Sequence, residues 1–115
     1  MPFIIARVNV SVGTEQEQEI KSCLGRAIEF VPGKNEQNLM ICLEDNCRIW
    51  LRGQNTIPAA YIEAGIFGND SHTGYNMLTA AVTETFSTVL GISPENIYIK
   101  YDDIHVWGVS CFTIG

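Results

Sequence analysis

A proline stands directly behind the initiator methionine, at the mouth of the apolar stretch "MPFII" (Met1 to Ile5). If Met1 is removed, Pro2 becomes a free secondary amine. An α-amino group titrates at about 7.7–8.0, far below a lysine, and an apolar pocket lowers it further because burial disfavours the charged form. The result is a base near neutrality, with a ring that fixes where its lone pair points. The same five residues also fit a chemically idle proline at the first position of a strand, where a missing N–H is tolerated. The thiols offer less. Cys23, Cys42, Cys47 and Cys111 are irregularly spaced, without a Cys-x-x-Cys, and neither His72 nor His105 stands near a cysteine pair in metal-ligand spacing. Reduced thiols are expected, and neither a zinc site nor a disulfide framework.

Two similar halves must position such a base. "GKNEQNLMICLED" (Gly33 to Asp45) repeats as "GISPENIYIKYDD" (Gly91 to Asp103), with Gly33/Gly91, Asn38/Asn96 and Ile41/Ile99 in register. An apolar segment and a helical pattern precede each copy. "TEQE" at Thr14 to Glu17 reads as a capping box. Ile20, Cys23, Leu24, Ala27, Ile28 and Val31 then form one helical stripe, ended by Pro32-Gly33. Tyr75, Leu78, Ala81, Val82, Phe86 and Val89 form the second, ended by Gly91, and Ser93-Pro94-Glu95 reads as a short helical turn. Strands are expected at Phe3 to Asn9, Leu39 to Glu44, Ala59 to Ala64 and Ile97 to Tyr101.

The fold class expected is α/β. Two pseudo-symmetric strand–helix–strand units, about 2-45 and 58-103, each pair their strands in parallel through a right-handed crossover. Together they make one domain over 1-115, a four-stranded sheet with both helices on one face. The other face needs a cover, and at this size another subunit is the natural one. Arg48 to Leu51 and the ribbon "VWGVSCFTIG" read as added edge strands suited to pairing across a subunit boundary.

Bulk properties narrow the partners. The chain has 115 residues, 46% hydrophobic and 17% charged, as in a globular protein rather than a disordered one. Lys+Arg 7 against Asp+Glu 13 gives −6, which disfavours nucleic acid and anionic membrane surfaces. No apolar run approaches a membrane span, and the N-terminus lacks the pattern of a signal peptide. A cytoplasmic protein is expected, with leaderless secretion as the alternative.

The duplicated unit beginning at a post-methionine proline resembles the tautomerase superfamily. "MPFI", "GK" after the first helix, "EAGIFG", "GISPENIYI" and the final ribbon fall in the order and approximate spacing of its macrophage migration inhibitory factor and D-dopachrome tautomerase family. The resemblance implies a homotrimer of intertwined sheets with three active sites at subunit boundaries. It implies cofactor-independent keto–enol tautomerisation of phenylpyruvate-like 2-oxo acids, with Pro2 as general base. Lys34 matches a lysine that faces the substrate carboxylate, and its charge depresses the Pro2 pKa. It equally fits a solvated lysine at a helix end.

Ala64, in what reads as a small-residue loop, matches a backbone N–H donor to that carboxylate. Glu63 stands where serine is usual. Tyr98 matches a tyrosine reaching in from the neighbouring subunit, and Lys100, on the same strand face, replaces an asparagine. A free lysine there predicts a preference for substrates with a polar or anionic distal group. Phe3, Met40, Trp107, Val109 and Ile114 complete an apolar wall. Val109 and Ile114 take the places of a tryptophan and a phenylalanine, so the wall is less aromatic than usual. Two alternatives stay open. One is a trimeric signalling or binding protein with a vestigial amine, which would meet a receptor if secreted. The other is a different superfamily reaction on an unsaturated acid, which would want pocket arginines that Arg7 and Arg52 do not clearly supply.

Overall fold

The structure, a computed structural model, describes residues 1–115. Strand β1 (Pro2–Val8) leads to helix α1 (Thr14–Ala27) and strand β2 (Met40–Glu44). After a long connection, β3 (Ala60–Phe67), α2 (Tyr75–Leu90) and β4 (Ile97–Ile104) repeat the unit. A hairpin of β5 (Trp107–Val109) and β6 (Phe112–Ile114) ends the chain. The main sheet runs β2-β1-β3-β4, with β1 parallel to β2, β3 parallel to β4, and the two units joined antiparallel through β1 and β3.

Period-2 alternation sets the two faces of this sheet. Ile4, Ala6 and Val8 of β1 and Ala60, Ile62, Ala64 and Ile66 of β3 point to the helices and are buried with Ile20, Leu24, Leu78, Val82 and Phe86. These helix residues come from the two stripes expected from spacing. Gly91 closes α2 in the left-handed region at φ 71, its N–H donating to the Ser87 carbonyl at 3.0 Å. Gly74, at φ 86, starts α2 against the backbone of Phe30, where a Cβ would collide with the carbonyl oxygen.

Three expectations are corrected. Thr14 is the first helical residue of α1 and not its cap. Gly13 takes that place: its carbonyl accepts from the Glu17 N–H at 2.9 Å, and its N–H donates to Gln16 Oε1 at 2.8 Å. "EAGIFG" is not a loop, because β3 runs on through Phe67 and its burial alternates through both Gly65 and Ile66. β4 likewise extends to Ile104. Arg48 to Leu51, expected to pair across a subunit boundary, takes within the chain only an isolated bridge from Leu51 to Gln54. The C-terminal ribbon is a hairpin of its own, separate from the main sheet.

Candidate active site

The N-terminal end of β1 opens into a cleft of ≈ 460 Å³. Met1, Pro2 and Phe3 form its floor, Gln37, Asn38, Leu39 and Met40 one wall, and Trp107, Gly108 and Val109 the other. Each wall has a local cause. A single 3-10 turn at Glu36–Asn38 delivers the first, held by the Asn35 side chain, which accepts from the Gln37 N–H at 2.8 Å. The second is the near strand of the C-terminal hairpin, whose turn residues Ser110 and Cys111 have φ 51 and 71.

Lys34 reaches the same end of the sheet. Its Nζ donates to the Phe67 carbonyl at 2.6 Å. The Phe67 N–H donates to the Met1 carbonyl at 3.2 Å. The α-amino group of Met1 is lowered from 8.0 to about 6, first by burial and then by the hydrogen bond and charge of Lys34. An amine at this point of the fold is therefore driven toward its neutral form, and Lys34 is one of the groups that drives it. Pro2 itself is buried, one residue deeper along the strand.

Of the residues picked out by sequence, the structure gathers Pro2, Phe3, Met40, Trp107 and Val109 around one cleft, with Lys34 beside the amine. Ile114 lies behind the wall, paired with Trp107. Ala64 is elsewhere. It is buried in the middle of β3, opposite Ile4 of β1 and Tyr101 of β4, with a strand paired on each side. The backbone N–H at the cleft belongs to Phe67, which sequence reasoning passed over along with Gln37 and Asn38. The alternation of Ala60, Ile62, Ala64 and Ile66 was the signal that the strand continued past Gly65.

Tyr98 lies at the far end of the sheet. It pairs with Tyr61, whereas Pro2 pairs with Ile66. Five residues of strand separate those positions, about 17 Å at the usual rise. Tyr98 cannot serve the amine of its own chain. It lines a second, smaller cleft with Ile49, Trp50, Leu51 and Tyr61.

The open face of the sheet carries an ionic ladder. Arg7 bridges Glu44 at 2.7 Å and Glu63 at 3.0 Å, and Lys100 bridges Glu63 at 3.3 Å and Asp102 at 3.5 Å. Lys100, then Arg7, holds the Glu63 carboxyl below its ordinary range, and Glu63 chiefly raises Lys100. Glu63 is thus turned to Arg7 and Lys100. The expectation of a free second cation at position 100 is not met, since two carboxylates flank the Lys100 ammonium. No helix is long and apolar enough to cross a membrane.

No family model matches the chain, and no curated protein matches its sequence. Solved structures do match. Leishmania major MIF2 superposes with a TM-score of 0.90 at 24% identity, covering 99% of this chain and 97% of that one. A macrophage migration inhibitory factor homologue from Prochlorococcus marinus gives 0.86 at 22% identity, over 98% of this chain and 99% of that one. A fused 4-OT described as an asymmetric trimer gives 0.82 at 21% identity, over 96% and 94%.

Proposed function

We propose that the chain, which has the fold of macrophage migration inhibitory factor homologues and of 4-OT, belongs to that superfamily in chemistry as well as fold. It is a cofactor-independent keto–enol tautomerase that acts on phenylpyruvate-like 2-oxo acids and works as a homotrimer. Met1 is removed, and the freed Pro2 nitrogen is the general base. It takes the proton from the carbon next to the carbonyl, and the protonated amine delivers it to the enolate oxygen; in the reverse direction it moves the proton from the enol oxygen to that carbon. Such a base works best with a pKa near the working pH.

The single observation that carries this reading is the juxtaposition at the end of β1. The Met1 amine there falls to about 6, beside the Lys34 ammonium and at a largely apolar cleft. The Met1 carbonyl oxygen, bound to the Phe67 N–H, stands in for one carboxylate oxygen of a substrate. With Met1 gone, that N–H and Lys34 are free to hold the acid. The partner subunit's Tyr98 supplies the group near the carbonyl oxygen, in keeping with its distance from Pro2 within one chain. The trimer of the fused 4-OT is a property of that protein, and its assembly here is part of the proposal.

The test is loss of phenylpyruvate enol absorbance, with intact mass recorded for each sample. Wild type free of Met1 is expected to be active. Pro2→Gly, and a chain that retains Met1, are expected to lose at least about a hundredfold in kcat/KM, the scale of general-base catalysis. A folded trimer without Met1 and without activity refutes the enzyme and favours a binding protein with a vestigial amine.

A further inference from the structure

Both histidines of the chain meet an aspartate at one junction, where the loop after β3 crosses the end of β4. His72 Nε2 lies 2.7 Å from an Asp103 carboxylate oxygen, and His105 Nδ1 lies 3.6 Å from Asp70. Only the first is within hydrogen-bond distance. The second pair stands largely in water, where such a contact contributes little. His72 is held on another side as well. Its ring stacks on Tyr75 at 5.0 Å, and Tyr75 stacks on Tyr101 of β4 at 4.4 Å. The Tyr101 hydroxyl is fixed in turn by Thr79 of α2 at 2.6 Å. The His72 backbone sits at φ 61, in the left-handed region that a residue other than glycine keeps only where its surroundings hold it.

The end of β3 depends on this junction. Phe67 turns its N–H to the Met1 carbonyl and its own carbonyl to Lys34, so both face away from β4. The next contact with β4, from the Gly68 N–H to the Ile104 carbonyl, is long at 3.4 Å. Asp103 stands on β4 opposite Ile66, one position before Ile104, which pairs with Phe67. We propose that His72 and Asp103 are positioning residues. Their contact fastens the loop of residues 68–74 to β4, and so fixes the Phe67 N–H and the Lys34 ammonium where a substrate carboxylate binds. The inference rests on the tautomerase reading and adds to it two side chains that do not line the Pro2 cleft. Their loss therefore weakens the hold on the acid and leaves the proton transfer to Pro2.

Two measurements test this. The first separates kcat from KM for phenylpyruvate in Met1-free wild type and variants, with sedimentation to confirm assembly. Asp103→Ala should raise KM about fivefold, the contribution of one ordinary hydrogen bond, with kcat within about twofold. Asp103→Asn keeps an oxygen that accepts from a His72 Nε2–H and should recover most of the loss. His72→Gly suits φ 61 and should give the same rise, with the double variant no worse than either alone. Asp70→Ala removes only the open 3.6 Å contact and should stay within about twofold. The second measurement needs no activity. Amide exchange at Gly68, whose N–H meets the Ile104 carbonyl, should quicken about fivefold in Asp103→Ala and return toward wild type in Asp103→Asn.

Wild type without any activity overturns the tautomerase reading, and Gly68 exchange still decides whether the contact holds the loop. With active wild type, an unchanged KM in Asp103→Ala, a fall in kcat larger than the rise in KM, an equal rise in Asp70→Ala, or Gly68 exchange that does not quicken overturns the positioning role alone.

Discussion

Removing the Lys34 ammonium should change two separate properties of the site, and the structure gives each a size. The first is the acidity of the amine. The α-amino group at this end of β1 falls from 8.0 to about 6, by burial and by Lys34 together, so Lys34 accounts for at most about two pH units. The proposal extends the same two causes to the Pro2 amine, one residue deeper along the strand. Only the neutral amine is a base, so activity is lost as pH falls through its pKa. Taking away the cation raises that pKa, and the acid limb of kcat/KM moves to higher pH. The second property is the hold on the substrate carboxylate. A hydrogen bond to a charged group contributes roughly 1.5–3 kcal/mol, so KM should rise by about 10- to 150-fold.

The assay is phenylpyruvate tautomerisation from pH 5 to 9 for wild type, Lys34→Ala and Lys34→Arg. Lys34→Ala should move the limb upward and raise KM, while Lys34→Arg keeps the limb near its wild-type place because the charge remains. A limb that stays put in Lys34→Ala, with KM within twofold of wild type, refutes both roles.

The remaining predictions concern neighbouring parts of the fold. Lys100→Asn should leave unchanged the ratio of rates for phenylpyruvate and a ring-carboxylated analogue, because Glu63 and Asp102 already balance that ammonium. A ratio shifted severalfold toward phenylpyruvate would restore Lys100 as a free cation at the pocket. Phe86→Ala removes the largest fully buried side chain and should lower unfolding stability by about 3–5 kcal/mol in urea titrations. A loss under about 1 kcal/mol would mean the helices do not close over the sheet as described.

Much of this architecture was legible in the residues, and the reasons differ from part to part. The helical stripes through Ile20, Leu24 and Leu78, Val82, Phe86 survive because a 3.6-residue period leaves little else for those side chains to do. Pro2 and Lys34 were singled out in the sequence as a terminal secondary amine and an ammonium, and the structure brings both to the same end of the sheet. Ala64 was misplaced for a local reason: two glycines in "EAGIFG" read as a turn, yet the alternation of Ala60, Ile62, Ala64 and Ile66 carries the strand through them. That error hid Phe67, whose N–H becomes available at the cleft only because the strand reaches it.

The ladder from Glu44 through Arg7, Glu63 and Lys100 to Asp102 crosses all four strands, and no pattern along the chain places β1 antiparallel to β3. The segment Arg48 to Leu51 reads in the sequence as an edge strand for pairing across a subunit boundary, and within one chain it meets only the bridge from Leu51 to Gln54.

The most direct test of the central claim is a nitrogen-15 NMR titration of Pro2 in the chain freed of Met1. The account predicts one titrating secondary amine with a midpoint clearly below the ordinary 8.0, coincident with the acid limb of activity. A Pro2 nitrogen that does not titrate, or one with a midpoint at 8.0 or above while activity persists at pH 6, would contradict it.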